Sequence, residues 1–471
     1  MNKDLRVLEG KQHIHFIGIG GSGMYPLAQI LHAKGYHLTG SDNNETETLQ
    51  AIRNMGIEVK PLGQRAENIE GADLIVHTAA IMADNPELIA ARASGVPVLE
   101  RSELLGIVSS WYDNAVCVSG THGKTTTTSM LTQILVEAGL DISAFIGGKL
   151  PIIHGSGCAG SSDIFVCESC EFVDTFLKLY PDTAVVLNID ADHLDYFGTV
   201  ENIIRSFRKF CELATRSVVY NSDDANTCKA VAGIEGKTFV TFGTNADADF
   251  RATEIEHLSG SRTAFTVQKK GETLGRITLQ VPGEHNVLNA LAAIAACDGL
   301  GLEFEQIRKG LEDFRGAGRR FEIKGVKNGI TVADDYAHHP TELAATLKAA
   351  RGMDYKRVIA VFQPFTFSRT VQHLEEFRDA LEIADIAVLT DIMGSREKNT
   401  YGIYTRNLAE ITKNAVYFPQ DENAEYTDER KYQNFDDVCQ WVLDNAKPGD
   451  LVLTMGCGDI NKVAKMIVEK L

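Results

Sequence analysis

The chain has 471 residues and carries 46 basic against 64 acidic side chains, a net charge of -18. That length leaves room for about three domains, and the acidic balance excludes a general nucleic-acid or anionic-membrane binder. Lys3, Asp4, Arg6 and Glu9 interrupt the N-terminus, so it does not read as a signal peptide, and no apolar run reaches the length of a membrane span.

Nine cysteines without a framework spacing fit reduced thiols, so a cytoplasmic location is expected. Cys167 and Cys170 form a C-x-x-C, but no second pair completes a zinc site.

The predicted elements begin with a strand over 14–17, followed by Gly18-Ile19-Gly20-Gly21-Ser22-Gly23-Met24. Gly18, Gly20 and Gly23 give the G-x-G-x-x-G spacing, a helix runs from about Pro26 to Lys34, and a strand over 36–39 ends at Ser41-Asp42. In this layout the glycines admit a pyrophosphate and an acid reaches a ribose. A nicotinamide dinucleotide and another nucleotide diphosphate fit it equally. Strands follow over 74–77, ending at Thr78, and over 96–99, and the pattern breaks at Ser109-Ser110-Trp111.

A strand over 115–118 leads into Gly120-Thr121-His122-Gly123-Lys124-Thr125-Thr126. Met130, Leu131, Ile134, Leu135 and Ala138 then recur at amphipathic helical spacing, up to Gly139. Lys124 and a row of N–H groups therefore sit at a helix N-terminus, which favours phosphate. Thr125 is placed to offer its hydroxyl to magnesium. The spacing departs from the usual phosphate loop, since only Gly120 precedes Gly123-Lys124. A strand over 163–167 delivers Glu168, and one over 184–188 delivers Asp190, Asp192 and His193. Glu168 and His193 can extend the magnesium shell, although His193 can equally bond the neighbouring acids.

The stretch 218–278 reads as β-rich, with strands over 237–242 and 264–267. His285, Asn286 and Asn289 then fall within one turn of an alanine-rich helix. A ring and two amides on one face suit a purine, and plain helix capping by Asn286 is the alternative. A second boundary lies at Arg315-Gly316-Ala317-Gly318. The adjacent Arg319 and Arg320 read either as a phosphate clamp or as solvated charge. The last segment is again α/β, with strands over 330–333, 358–362, 387–389 and 451–455. Asp334-Asp335-Tyr336-Ala337-His338-His339-Pro340 leaves the first of these, and Gln363-Pro364-Phe365-Thr366-Phe367-Ser368-Arg369 leaves the second. Both loops lie at carboxyl ends, the side where α/β sheets hold ligands.

In order along its length the chain carries HFIGIGGSGM, GTHGKTTTTSML, NIDADHLDYFG, PGEHNVLNALAAIA, RRFE, DDYAHHPTE, FQP with SRT, and LTMGCGDI. With these blocks it resembles the ATP-dependent Mur ligases of peptidoglycan synthesis. The resemblance implies an α/β fold of three domains: a Rossmann-like UDP-sugar domain at 1–109, a central P-loop ATPase-like domain at 110–317, and a Rossmann-like amino-acid domain at 318–471. It implies that Gly18, Gly20, Gly21, Ser22, Gly23 and Met24, with Ser41, Asp42 and Thr78, hold UDP-N-acetylmuramate rather than NAD.

ATP is implied on Gly120, Thr121, His122, Gly123, Lys124, Thr125 and Thr126. The resemblance assigns His285, Asn286 and Asn289 to adenine, and Arg320 and Asp335 to the nucleotide from the C-terminal domain. Mg2+ is implied on Thr125 and Glu168, with His193 on a second metal. Tyr336, His338 and Arg369 are implied around L-alanine, whose amine attacks an acyl phosphate made from the lactyl carboxylate; Lys124, Glu168, His193, His338 and Arg369 are the implied catalytic set.

Phe365 and Thr366 depart from the histidine and arginine of relatives, and Ser169-Cys170-Glu171 from their alanine-aspartate-glutamate. Lys209 is not assigned the role of a carbamylated lysine. One methylene separates amino-acid substrates by only about 1 to 3 kcal/mol, so alanine, glycine and serine are not ranked by the sequence.

Overall fold

The computed structural model describes residues 6–259, 262–395, 397–419 and 433–471. The chain packs as two compact units. The first comprises 1–252, 267–275 and 288–311, the second 253–266, 276–287 and 312–471.

The first unit opens with five strands, β1 (His13–Ile17), β2 (His37–Ser41), β3 (Glu58–Val59), β4 (Leu74–His77) and β5 (Val98–Glu100), in the order β3-β2-β1-β4-β5. All neighbours are parallel. β1 therefore ends between the ends of β2 and β4, at the point where strand order reverses. β2 starts one residue and ends two residues later than its apolar run predicts, because its register on β1 pairs His13 with His37 and Ile17 with Ser41. The helix Tyr25–Ala33 follows the first glycine turn, with a proline in its first turn.

The same unit continues with β6 (Asn114–Ser119), β7 (Ser143–Leu150), β8 (Gly155–Cys158), β9 (Ile164–Glu168), β10 (Thr183–Val186), β11 (Ser217–Asn221) and β12 (Thr238–Gly243). Their order is β12-β11-β10-β6-β9-β7-β8. Again the strand before a glycine loop, β6, lies between two parallel neighbours, β9 and β10. β13 (Phe250–Leu258), β14 (Arg262–Lys269) and β15 (Glu272–Leu279) complete the β-rich stretch.

The helix Lys124–Glu137 corrects the amphipathic expectation: Thr125 through Leu135 are all buried. Of its threonines, Thr128 bonds back into the helix, Oγ1 donating to Lys124 O at 2.8 Å.

The second unit holds β16 (Glu322–Lys327), β17 (Ile330–Asp335), β18 (Arg357–Phe362), β19 (Ile386–Thr390), β20 (Ala415–Phe418) and β21 (Asp450–Met455), ordered β16-β17-β21-β18-β19-β20. β16 is antiparallel, and the rest are parallel. Apolar cores cover both faces, one around Leu343, Phe362 and Phe377, the other around Val361, Val438 and Ile467. Burial on both faces explains why these strands read as continuous apolar runs.

Candidate functional site

The loop after β6 is fastened to the chain leaving β10. Thr121 N donates to Asn188 O at 3.1 Å, and His122 N donates to Asn188 Oδ1 at 2.8 Å. Asn188 Nδ2 returns a bond to His122 O at 3.0 Å, and Asp190 N donates to Thr121 Oγ1 at 2.9 Å. Two glycines are required here. Gly120 has φ +148° and a Cβ on it would lie 2.8 Å from Leu187 Cβ; Gly123 has φ +87° and its Cβ would lie 2.4 Å from Asn289 Oδ1. Asn289 thus backs the loop in the first unit, while Asn286, in the second, donates from Nδ2 to Pro282 O at 2.7 Å. His285 is exposed and lies over Gly283, where a Cβ would come within 2.5 Å of its Cε1.

Lys124 Nζ donates to Gly120 O at 2.5 Å, Thr121 O at 3.0 Å and Glu171 Oε1 at 3.0 Å, with Glu171 Oε2 at 2.8 Å. Burial alone would lower the Lys124 pKa, but Glu171, helped by Cys170 and Glu168, raises it, so the ammonium stays charged. Thr125 Oγ1 donates to Glu168 Oε1 at 2.9 Å, and Gly147 N donates to Glu168 Oε2 at 2.7 Å. A Cβ on Gly147 would lie 2.5 Å from Glu168 Oε1. Loop, hydroxyl and carboxylate therefore come together at one strand end.

His193 makes its contacts elsewhere. It adopts φ 54°, its ring packs on Phe172 at 4.6 Å between centroids, and its Nε2 is 3.7 Å from Asp192 Oδ2. Glu171, Gly147 and Asn188 escape sequence reading as site residues. Only the C-x-x-C neighbourhood of Glu171 and the proximity of Asn188 to Asp190 hint at two of them.

At the first glycine turn, Gly18 N and Ile19 N donate to Ser41 O at 2.8 and 3.0 Å, and Gly20 N donates to Asp42 Oδ2 at 2.9 Å. Gly18 has φ +81°, with a hypothetical Cβ 2.8 Å from Thr78 Cγ2. Asp42 and Thr78 thus flank the turn. The hydroxyl of Ser41 points away from it, donating to Glu87 Oε1 and Oε2 at 2.8 Å each. Glu87, fully buried, also meets His15 Nε2 at 2.7 Å and Asn68 Nδ2 at 3.2 Å. His15 Nδ1 and His13 Nε2 both reach Thr39 Oγ1, at 2.7 and 2.9 Å, and His13 Nδ1 bonds Gly71 O at 2.7 Å.

In the second unit Asp335 accepts from Phe321 N and Ala337 N, both at 2.8 Å. Burial pushes its carboxyl up to about 6, against the pull of Arg320 and these two donors. The two arginines divide. Arg319 is anchored on Asp334 Oδ2 at 2.9 Å and Gly456 O at 2.6 Å, while both guanidinium groups lie over the Tyr336 ring, at 4.8 and 5.1 Å. His338 Nδ1 bonds Tyr336 O at 3.1 Å and lies 3.3 Å from Glu342 Oε2, and its ring meets Phe365 edge-on at 6.4 Å. Thr366, at φ 65°, precedes the short helix Phe367–Gln372 that carries Arg369. Burial pushes the Cys457 thiol up to about 12, although Arg369 pulls it down. The ends of β17, β18 and β21 therefore gather Tyr336, His338, Phe365, Arg369 and Cys457 at one edge of the sheet.

Residues 13–112 match the Mur ligase family catalytic domain, 118–297 the Mur ligase middle domain, and 319–458 the Mur ligase glutamate ligase domain. The UDP-N-acetylmuramate--L-alanine ligase of Acetivibrio thermocellus is 45% identical over 465 residues, covering 97% of this chain and 96% of that protein. Among solved structures, the UDP-N-acetylmuramate-alanine ligase MurC of Thermotoga maritima superposes with a TM-score of 0.81 at 28% identity, covering 97% and 98% of the two chains. The murein peptide ligase of Psychrobacter arcticus 273-4 superposes with a TM-score of 0.70 at 25% identity, covering 97% and 98%.

Proposed function

The chain belongs to the Mur ligase family, and from that premise we propose that it joins L-alanine to the lactyl carboxylate of UDP-N-acetylmuramate in peptidoglycan synthesis, splitting ATP to ADP and phosphate. The observation that carries this reading is the bend after β6. There a charged lysine, a helix N-terminus and the Thr125–Glu168 pair converge on the place a triphosphate would occupy. The full-length likeness to L-alanine ligases supports the choice of sugar and amino acid.

The sugar nucleotide lies on the turn 18–24, between Asp42 and Thr78. ATP lies on the loop 120–126, with Asn289 behind it. A lactyl carboxylate oxygen bonds to the γ-phosphorus as the bridging bond to ADP breaks. The alanine nitrogen then bonds to the acyl carbon, phosphate leaves, and the nitrogen gives up its proton. A carboxylate is a poor acyl donor, so the phosphoryl group serves as leaving group. Lys124 and the loop N–H groups stabilise charge on the transferring phosphoryl, where most catalysis of such steps lies.

Thr125 and Glu168 fit magnesium, since they set two oxygen donors 2.9 Å apart and that cation prefers oxygen. When bound it neutralises phosphate charge. His193 offers the nitrogen donor that a second metal would use. Arg369 pairs with the amino-acid carboxylate, and Tyr336 and His338 wall the pocket.

The test is phosphate release with ATP, UDP-N-acetylmuramate and, in turn, L-alanine, glycine and L-serine. Release that requires sugar nucleotide and amino acid together, with amide formed in equal amount, is the expected result. Release indifferent to the sugar nucleotide would overturn the reading.

A further inference from the structure

Glu171 is almost fully buried, 3% exposed, and both its carboxylate oxygens lie within 3.0 Å of Lys124 Nζ. Together with Gly120 O and Thr121 O it occupies all three N–H directions of the ammonium. Glu168 and Glu171 leave the same strand end three residues apart and divide their partners: one takes the Thr125 hydroxyl, the other the lysine.

The turn that presents Glu171 is held by force. Val173 and Asp174 take φ 53° and 57°; aspartate tolerates this region, but β-branched Val173 adopts it only when its surroundings impose it. Those surroundings are visible. Asp174 N donates to Glu171 O at 2.9 Å, and the Asp174 carboxylate accepts from Tyr196 at 3.0 Å and from the Ser206 hydroxyl. Phe172, within the same turn, carries the ring on which His193 packs.

We propose that Glu171 is a positioning residue for phosphoryl transfer, aiming the Lys124 ammonium along the loop so that the two carbonyl-facing N–H groups pass to phosphate oxygens while the carboxylate keeps its hold. The inference rests on the loop binding the nucleoside triphosphate, as proposed above. An amine aimed this way acts on the transferring phosphoryl more than on the bound ground state, so its loss shows in kcat rather than KM.

The test compares Glu171→Gln, Glu171→Asp and Lys124→Ala, alone and combined, in the full-length chain with ATP, UDP-N-acetylmuramate and L-alanine. UDP-N-acetylmuramate binding serves as the control for folding. Glu171→Gln is expected to lower kcat roughly 10- to 100-fold while the KM for ATP moves less than about 3-fold. Glu171→Asp, which retains the charge on a shorter arm, recovers part of the rate. Glu171→Gln added to Lys124→Ala costs nothing further, because the two act through one amine. An unchanged kcat in Glu171→Gln, or a full additional loss on top of Lys124→Ala, would overturn the proposal. Full activity in Lys124→Ala would instead remove the loop reading beneath it.

Discussion

The first unit builds the same device twice, and the two copies differ in what stands on the first turn of the helix. After β1 and after β6, a central parallel strand ends in glycines between the ends of two parallel neighbours. After β1 the helix begins with Tyr25, Pro26 and Leu27, which bring neither cation nor hydroxyl of the serine or threonine kind. The N–H groups of the turn are held by Ser41 O and Asp42. After β6 the helix begins with Lys124, Thr125 and Thr126, and two carboxylates from one strand end reach them. Strand order creates the cradle in both cases. Under the proposed function, the helix's first residues separate a cradle that only holds a diphosphate from one that also moves a phosphoryl group.

The hardest break in this contrast is Lys124→Ala. Phosphate release is expected to fall by roughly a thousandfold or more, with the Kd for UDP-N-acetylmuramate unchanged by calorimetry. Loss of both functions in a folded variant would join two sites that the contrast separates. Gly147→Ala comes next, because its Cβ would displace the Glu168 carboxylate. A loss of roughly 10- to 100-fold in kcat, with a higher magnesium requirement, is the expected outcome of steady-state titrations.

Gly20→Ala acts on the other cradle, where the added carbon would lie 2.8 Å from Asp42 Oδ2. It is expected to weaken UDP-N-acetylmuramate about tenfold while leaving the KM for ATP alone. The smallest effect on rate is expected from Ser41→Ala. It takes a donor from buried Glu87 and costs stability of about 1 to 3 kcal/mol, read by denaturant melts, with both substrates still bound.

What was legible in the sequence follows the range of the interactions. The strands before both glycine loops were legible because they are apolar runs closed by glycine, and Thr125 beside Glu168 because strand ends share one edge of a parallel sheet. The limits of β5, expected over 96–99 and found at Val98–Glu100, depend on pairing with β4, which no local pattern records. Gly147 and Glu171 lie 23 and 47 residues from Lys124 in sequence, so their contacts depend on sheet order. The resemblance implies Ser41 at the sugar nucleotide, yet its hydroxyl turns to Glu87, a partner 46 residues onward. The Thr125–Leu135 stretch hid its burial because threonine and serine read as polar in the sequence, whereas here they are packed inside with the apolar residues.

The chain of contacts beneath the first cradle fixes where each hydrogen sits. Gly71 O can only accept, so His13 carries its hydrogen on Nδ1; desolvation keeps that ring neutral, leaving Nε2 bare to accept from Thr39. Thr39 has no second hydrogen to give, so the tautomer of His15 is set as well, with Nδ1 donating. His15 Nε2 in turn lies 2.7 Å from Glu87 Oε1, so the chain of contacts runs on from Thr39 to the buried carboxylate. A glutamine at 87 could face a bare His15 Nε2 with its amide and satisfy every partner, whereas an alanine would strand three of them.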